Sequence, residues 1–377
     1  MHKALMGGAI LLATTLPALA VQTKAPAAPP TAIAVQSIAK GLNHPWGLQF
    51  LPDGRMVVSE RAGPIRIVGR DGTISPPIAG VPAADVRGQG GMLDVALAPD
   101  FATSGLLFFS FSEPRGGSRN GTSVGRGRLV LDGNRGRLEN VKVIFQQDPP
   151  FASTMHFGSR LVFDRGGNLF VTTGDRYSAR DEAQNPANHL GKVIRINSDG
   201  EAPADNPKRQ GWRQEIWSIG HRNVQGAALH PETGKLWTAE HGARGGDEVN
   251  IPEKGKNYGW PIITYGRDYS GVRIGEGTAK AGLEQPIYYW DPSPAPSGAA
   301  FYTGDLFPGW KGNLLVGALA GQALHRLVLD GEQVVAEEVL LKDRGRIRDV
   351  RQGPDGAVWL LTDDPQGEVL RVAPAGR

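Results

Sequence analysis

The feature that most constrains the fold is a hairpin phrase that recurs six times. Each version joins an alternating apolar strand to a second apolar strand through a turn rich in Asp, Gly or Asn. Period-two alternation into such a turn predicts a β-hairpin, because these turns need positive φ. The six versions are PWGLQFLPDGRMVVSE (45–60), GGMLDVALAPDFATSGLLFFSF (90–111), GSRLVFDRGGNLFVTTGD (158–175), VQGAALHPETGKLWTAEHG (224–242), PSGAAFYTGDLFPGWKGNLLVGAL (296–319) and IRDVRQGPDGAVWLLTD (347–363).

One or two further strand-like pieces, such as PIRIVG and GKVIRIN, follow each hairpin. A unit of three or four strands cannot bury both faces of its sheet alone, so six units predict radial packing. The fold expected is all-β, a six-bladed β-propeller of four-stranded antiparallel blades. An irregular β-sandwich is the alternative. The 52 Gly and 28 Pro residues fit a turn-rich β protein, and the longer insertions at 113–127, 176–190 and 262–285 are expected on one face.

The N-terminal residues are predicted to lie outside the propeller. Residues 1–20 combine a basic start, a short apolar run and a small-x-small site, which is typical of a signal peptide. An N-terminal membrane anchor is the alternative. Residues 21–35 are rich in Pro and Ala and predict a disordered spacer, leaving residues 36–377 as one propeller domain. We therefore expect a periplasmic protein that is soluble after cleavage, without stable membrane insertion.

Composition excludes several kinds of chemistry. The chain has no cysteine, which rules out thiolate catalysis and every Cys-ligated metal. Its net charge is +3, and charges of both signs are interspersed. This distribution argues against nucleic acid as a partner.

The polar residues concentrate between Glu215 and Pro261. An apolar run there passes into His221-Arg222-Asn223, and a Gly-rich charged loop spans 241–248. A β scaffold usually carries its chemistry where strand ends meet such loops. A surface hairpin with a charged turn is the alternative for any single residue.

These residues, with several longer strings, carry a family resemblance. The strings are GQGGMLDVALAPDF, HFGSRLVFDRGGNLFVTTGD, GHRNVQG, EHGARGGDEVNIPEKGKNYGWP and RGRIRDVRQGPDG. They resemble the soluble quinoprotein sugar dehydrogenases, above all the bacterial periplasmic aldose sugar dehydrogenases. The resemblance implies a propeller that oxidises aldose sugars at C1 to lactones with pyrroloquinoline quinone (PQQ) and calcium. Electrons would pass to an external acceptor, such as a quinone, a dye or a cytochrome.

The resemblance also implies roles for particular residues. His156 would be the general base, Asp175 its orienting partner, and Arg222 the clamp at the reactive quinone oxygen; His156 and Arg222 would also contact the cofactor. The other cofactor-binding positions are Gln89, Asn223, Gln225, Arg346 and Arg348. Arg346 and Arg348 alternate along a strand and are expected on one side of it. The backbone carbonyls of Gly242 and Ala243 would hold one calcium, and Glu248 with the carbonyl of Tyr258 a second, structural one.

Two positions depart from the family pattern. Ala320 stands where the family commonly has a cofactor-binding Lys, which removes a positive charge from the site of a polyanion. Met155 stands where the glucose-specific branch has Asp, which favours broader aldose specificity. Trp290 is either a sugar platform or a core aromatic.

Two other functions compete with the dehydrogenase. A calcium-dependent propeller lactonase needs oxygen ligands but no quinone, and has no use for Arg222, Arg346 and Arg348. A non-catalytic propeller that binds a sugar or a partner is the other, and Ala320 is the feature that favours it.

Overall fold

The structure is a computed structural model that describes residues 22–376. Over these residues, helix is limited to the short segment α1 (Phe101–Ser104) and two 3₁₀ turns, Arg180–Gln184 and Pro308–Trp310. No helix within residues 22–376 is long and apolar enough to cross a membrane. The strands, in chain order, are β1 (Gln22–Thr23), β2 (Ile33–Leu42), β3 (Pro45–Phe50), β4 (Met56–Glu60), β5 (Ile65–Val68), β6 (Met92–Leu97), β7 (Leu106–Pro114), β8 (Asn120–Asp132), β9 (Arg135–Gln146), β10 (Gly158–Phe163), β11 (Leu169–Thr173), β12 (Lys192–Ile196), β13 (Ile216–Ile219), β14 (Val224–Leu229), β15 (Leu236–Glu240), β16 (Asp247–Asn250), β17 (Tyr288–Trp290), β18 (Pro296–Phe301), β19 (Leu314–Ala318), β20 (Ala323–Asp330), β21 (Gln333–Leu340), β22 (Ile347–Gln352), β23 (Val358–Thr362) and β24 (Gly367–Pro374).

The strands form six sheets in a closed ring, which confirms the six-bladed propeller. The six hairpins predicted from the repeat supply the two inner strands of each blade, β3/β4, β6/β7, β10/β11, β14/β15, β18/β19 and β22/β23. Four blades are four-stranded; the first has β3–β4–β5 with a bridge from Val68 to Ile74, and the fourth gains β1. Each innermost strand contacts the next, and β22 contacts β3.

The ring closes by joining the two ends of the chain. Strand β2 pairs antiparallel with β24, from Ile33 opposite Pro374 to Leu42 opposite Gly367. The sixth blade therefore mixes an N-terminal outer strand with three C-terminal strands. This pairing covers the outer edge of β24 and ties the N-terminal part of the propeller to its last blade.

The hydrophobic core lies between neighbouring blades. Six clusters of buried side chains each join residues of two adjacent sheets. Strands β4, β11, β19 and β23 are buried along their whole length, because both of their faces pack on neighbours. Each fully buried Leu, Ile, Val or Phe stabilises the fold by about 1.5–3 kcal/mol.

The Pro/Ala tract differs from the disordered spacer expected over residues 21–35. The Ala28 amide donates to the Glu337 carbonyl at 2.8 Å, and the Thr31 hydroxyl donates to the Glu338 carboxylate at 3.0 Å. β2 already begins at Ile33. Hydrogen-bond acceptors on β21, the outer strand of the fifth blade, thus order a tract whose composition alone predicts disorder. The predicted signal peptide, residues 1–20, lies outside the described residues.

A buried ion cluster fills the central channel at the level of the inner strands. Arg160 on β10 donates to Asp94 on β6 at 3.0 Å and to Asp349 on β22 at 2.9 Å, and all three side chains are fully buried. Arg351 pairs with the same two carboxylates at 3.1 and 3.2 Å. Two arginines matched by two aspartates leave no net charge in this desolvated position.

Candidate active site

The candidate site lies at the end of the channel where the inner strands begin. Each inner strand has a register shift near its first residues, in all six blades. Such bulges re-aim side chains and are common beside functional sites. Asn223 and Arg346 directly precede inner strands, and Arg348 lies within the shifted part of β22.

His156 and Asp175 form the predicted pair. The Nδ1 atom of His156 lies 2.6 Å from Oδ1 of Asp175, and both side chains are buried. The other carboxylate oxygen accepts a hydrogen bond from Trp260 Nε1 at 2.8 Å, and Oδ1 also accepts from the Tyr177 amide at 2.8 Å. The carboxylate therefore acts only as an acceptor, which places a proton on Nδ1 of His156 and leaves Nε2 as the basic atom.

The local backbone is shaped to hold this pair. His156 has a positive φ of 53°, and its amide donates to Oε1 of Gln89 at 2.9 Å. A Cβ on Gly174 would come within 2.1 Å of the His156 carbonyl oxygen. The Gly of the TTGD string is therefore required by close approach of two backbones.

The environment keeps His156 neutral. Burial lowers its pKa below the usual 6.5, and the positive charge of Arg222 adds to this effect. The hydrogen bond to Asp175 acts in the opposite direction. A neutral imidazole at physiological pH is the form that can accept a proton.

Arg222 is buried beside the pair. Its Nη1 donates to the His241 carbonyl at 3.1 Å and also to the Gly242 carbonyl. Its guanidinium stacks over Trp260, with 5.3 Å to the ring centroid. Its amide donates to the Glu240 carboxylate at 2.7 Å. Arg222 is thereby a fixed cation at the site, 4% exposed.

The predicted amide residues form a connected set. Asn223 Oδ1 accepts from the Gly158 amide at 3.1 Å. Gln225 donates to the Gly158 carbonyl at 3.3 Å and accepts from Arg348 at 2.8 Å. Gln89 is exposed and reaches the same cavity as Asn223 and Gln225.

Arg346 and Arg348 share one carboxylate. Arg348 is buried and lies 2.7 Å from Asp363, whereas the exposed Arg346 lies 3.5 Å from the same group. Burial opposes ionisation of Asp363, yet the two arginines hold its pKa well below the usual range. Both arginines line one cavity, so they share a side as expected. The bulge between Ile347 and Asp349 means that simple alternation is not the reason.

The loop predicted to hold calcium is ordered by Asp247. The Gly242 amide donates to Asp247 at 2.7 Å, and the Ala295 amide donates to its other oxygen at 2.9 Å. Burial raises the pKa of Asp247 to about 6. Because the Gly242 carbonyl accepts from Arg222, this oxygen can ligate a cation only through its second lone pair or after Arg222 turns away.

The second predicted calcium position contains two neighbouring carboxylates. Asn250 Nδ2 donates to Glu240 at 3.0 Å and to Glu248 at 3.1 Å. Burial raises the pKa of Glu248 well above its usual value, and the charge of Glu240 raises it further. Glu240, Glu248 and Tyr258 border one small pocket. Over residues 22–376, no group of three or more His, Asp or Glu side chains could hold a metal ion.

Three adjoining cavities occupy this end of the propeller. The first, of about 510 Å³, is lined by Gln89, Asn223, Gln225, Arg346 and Arg348 among others. The second, of about 810 Å³, is lined by Gly242, Ala243 and Ala320, and shares His241 and Ala295 with the first. The third, of about 370 Å³, contains His156, Arg222 and Trp260.

Trp290 does not reach these cavities. It is 7% exposed, packs edge-on against Tyr288 at 5.2 Å, and donates from Nε1 to Glu337 at 2.8 Å. It is therefore a core aromatic between the fourth and fifth blades. Around His156 the aromatic side chains are instead Trp260 and Tyr177, whose ring lies edge-on to the imidazole at 5.3 Å.

Sequence reasoning missed several residues of the site. His44 lies 2.7 Å from Asp363 and lines the first cavity. His241 borders the first and second cavities, and burial lowers its pKa to about 3. Trp260, near the end of the string EHGARGGDEVNIPEKGKNYGWP, donates to Asp175, and nothing in the sequence indicated this contact.

Comparison with known proteins assigns the family. A family model described as Glucose / Sorbosone dehydrogenase matches residues 42–371. The chain is 46% identical over 353 residues to the aldose sugar dehydrogenase YliI of Escherichia coli (strain K12), covering 92% of this chain and 94% of that protein. A crystal structure of glucose dehydrogenase matches with a TM-score of 0.87 and 51% identity, covering 90% of this chain and 99% of that one.

A third match is the PQQ-bound form of an aldose sugar dehydrogenase from Streptomyces coelicolor, with a TM-score of 0.75 and 28% identity over 92% of this chain and 100% of that one. Fold and comparisons together define a six-bladed β-propeller of the dehydrogenase class. The chain belongs to the glucose/sorbosone dehydrogenase family.

Proposed function

We propose that the protein is a PQQ- and calcium-dependent aldose sugar dehydrogenase that oxidises sugars at C1 to lactones and passes the electrons to an external acceptor. Its relatives support an oxidoreductase acting on sugars, and one of them carries PQQ. The single observation that carries the proposal is the buried His156–Asp175 pair beside Arg222, next to a cavity lined by arginines.

The residues of the first cavity fit PQQ. The cofactor carries three carboxylates and quinone oxygens, which planar bidentate donors suit. Arg346 and Arg348 share only Asp363, which leaves one positive charge in excess. Within residues 22–376, Nε of Arg348 is a buried donor with no hydrogen-bond partner. Such a donor costs stability until an acceptor reaches it.

Bound PQQ would supply a quinone that takes up the hydride from C1 of the sugar. His156 would accept the proton of the C1 hydroxyl at Nε2, because Nδ1 is held by Asp175. The carboxylate would then stabilise the imidazolium. Arg222 would hold a fixed positive charge against developing negative charge, as preorganised donors do in other enzymes.

Calcium fits the second predicted position better than the first. A hard cation prefers oxygen ligands, and Glu240 and Glu248 place two carboxylates together in a buried pocket. A cation there would offset the repulsion that raises the pKa of Glu248. At Gly242 and Ala243 a cation would bind backbone oxygens, and it would compete with Arg222 for the Gly242 carbonyl.

A titration with PQQ tests the proposal. Purified protein is titrated in calcium while aldose-dependent reduction of a dye acceptor is followed. We expect saturable activity that chelation abolishes, and His156→Ala should still bind PQQ through the arginines of the first cavity yet lose most turnover. PQQ binding with no oxidation of any aldose, or unchanged turnover in His156→Ala, would contradict the mechanism.

One observation favours the non-catalytic alternative. Ala320 lines the second cavity without a charge, and a propeller that had lost the cofactor would show no PQQ binding in the same titration. A lactonase would give no role to the Arg346–Arg348 pair.

Export to the periplasm belongs to the same proposal. Residues 1–20 have the pattern of a signal peptide. N-terminal sequencing of the protein from a periplasmic fraction should begin after Ala20. A chain that keeps residues 1–20 and stays with the membrane would contradict it.

A further inference from the structure

We propose that Arg244 and Arg267 together supply the positive charge that is absent at Ala320, and that they bind a carboxylate of PQQ from the cavity that adjoins the one lined by Arg346 and Arg348. This inference rests on the proposed function, since it concerns the same cofactor. It assigns a cofactor-binding role to two residues outside the family set given above.

The two arginines are held side by side by the backbone. The Arg244 amide donates to the Arg267 carbonyl at 2.8 Å, and the Arg267 amide donates to the Arg244 carbonyl at 3.2 Å. This is an isolated antiparallel bridge between the calcium-loop segment and the 262–285 insertion. Opposed residues that exchange both hydrogen bonds lie about 5.5 Å apart at Cα, so their side chains leave the backbone on the same side of the bridge.

Both guanidinium groups are available to a ligand. Arg244 and Arg267 are exposed, and over residues 22–376 neither side chain makes a hydrogen bond or an ion pair. Two adjacent cations repel each other, which an incoming carboxylate would relieve. Asp291 also borders the cavity, so the pair keeps one positive charge in excess.

The position of the pair links it to PQQ. Arg244, Arg267 and Ala320 line the same cavity, together with Gly242 and Ala243, the predicted calcium ligands. A lysine at residue 320 would therefore extend into the space that the two arginines border. An anion with several carboxylates would meet Arg346 and Arg348 in the adjoining cavity and this pair in the second one.

A guanidinium suits this task as well as a lysine does. Its planar fork can bind both oxygens of a carboxylate, whereas an ammonium acts as a point charge. Because both arginines are exposed, solvent screens each interaction, and the contribution of each is smaller than that of a buried pair. We expect a ~1.5- to 5-fold loss of affinity for each arginine removed.

The test measures PQQ binding by calorimetry on the full protein with calcium, without a sugar. Arg244→Gln and Arg267→Gln should each raise the Kd for PQQ, and the double variant should raise it further and flatten its salt dependence. Arg273→Gln is the matched control. Arg273 is bridged to Arg267 within the same insertion and is exposed, but its guanidinium donates to the Glu276 carbonyl at 2.7 Å and it does not line the second cavity.

A rescue variant separates charge from structure. Ala320→Lys in the double-variant background should recover most of the lost affinity, because it places one charge in the same cavity. An unchanged Kd in the double variant, or a loss in Arg273→Gln of the same size, would overturn the inference. If the unaltered protein does not bind PQQ, the proposed function fails; if it binds and the double variant binds equally, only this inference fails.

Discussion

Replacing Asp175 by Asn would test the catalytic role of the buried pair at little steric cost. The carboxylate accepts three hydrogen bonds, from His156 at 2.6 Å and from Tyr177 and Trp260 at 2.8 Å each. An amide has one oxygen and one NH₂. In one orientation of the amide, the Nδ2 donor would therefore face the Nε1 donor of Trp260. In the other orientation, Nδ2 would face the Tyr177 amide, which is also a donor. It would also donate to Nδ1 of His156 and so force the tautomer whose Nε2 carries the proton.

Either orientation removes the charge that would stabilise the imidazolium, and the second also removes the base. Proton transfer by a positioned group contributes about 10²- to 10⁴-fold to a rate. We therefore expect kcat to fall by about 10²- to 10⁴-fold, which corresponds to ~3–5 kcal/mol of transition-state stabilisation. Loss of the carboxylate should also lower the pKa of His156 further, since Asp175 acts to raise it.

The assay measures kcat for aldose oxidation at saturating PQQ, together with PQQ affinity and thermal stability. The affinity should stay within about threefold of the original, since Asp175 is buried and outside the arginine-lined cavity. Trp260→Phe is the matched control, because it removes one donor to Asp175 and leaves the pair with His156. A folded Asp175→Asn variant with unchanged kcat would refute the assignment.

Further expectations concern pH, calcium and the channel. The pKa of His156 is lowered, so it stays neutral and kcat/KM should hold its plateau below pH 6.5; an acid limb at or above 6.5 would contradict this. Calcium should raise the Tm by about 5 °C. Glu248→Gln should lose that rise, whereas the exposed Glu253→Gln should keep it. An equal rise in Tm in both variants would show that the ion binds elsewhere. Arg160→Met removes one partner of two buried carboxylates and should lower the free energy of unfolding in denaturant by about 3–5 kcal/mol. Loss of a surface ion pair should lower it by less than about 1 kcal/mol.

The repeat predicted the fold because residues close together in the sequence specify each hairpin. Alternation and turn residues identify the inner hairpins, and β4, β11, β19 and β23 then follow as buried second strands. The sequence could not show that β2 belongs to the last blade, since that pairing joins residues far apart in the chain. It also did not show the order of residues 22–35, which depends on acceptors such as Glu337 and Glu338 on an outer strand.

The repeat also has an acidic residue at or just after the end of its second strand. The second strand of four blades ends at an acidic residue, Glu60 or Glu240, or is followed within two residues by one, Asp175 or Asp363. In the structure each pairs with a nearby basic or imidazole group. Comparison of the repeats with one another would have found Asp363 and Glu240. The roles of Tyr177 and Trp260 could not be found in this way, because they come from insertions and not from the repeat.

The pairing of Arg160 with Asp94 and Asp349 has a kinetic consequence. Because these side chains are fully buried, a ligand would reach the candidate site from the end of the propeller at which the inner strands begin. A sugar and an electron acceptor would then enter through the same opening, one after the other. The lactone would have to leave before the acceptor entered, so oxidation and reoxidation would form two half-reactions, and double-reciprocal rate plots at different acceptor concentrations would be parallel lines.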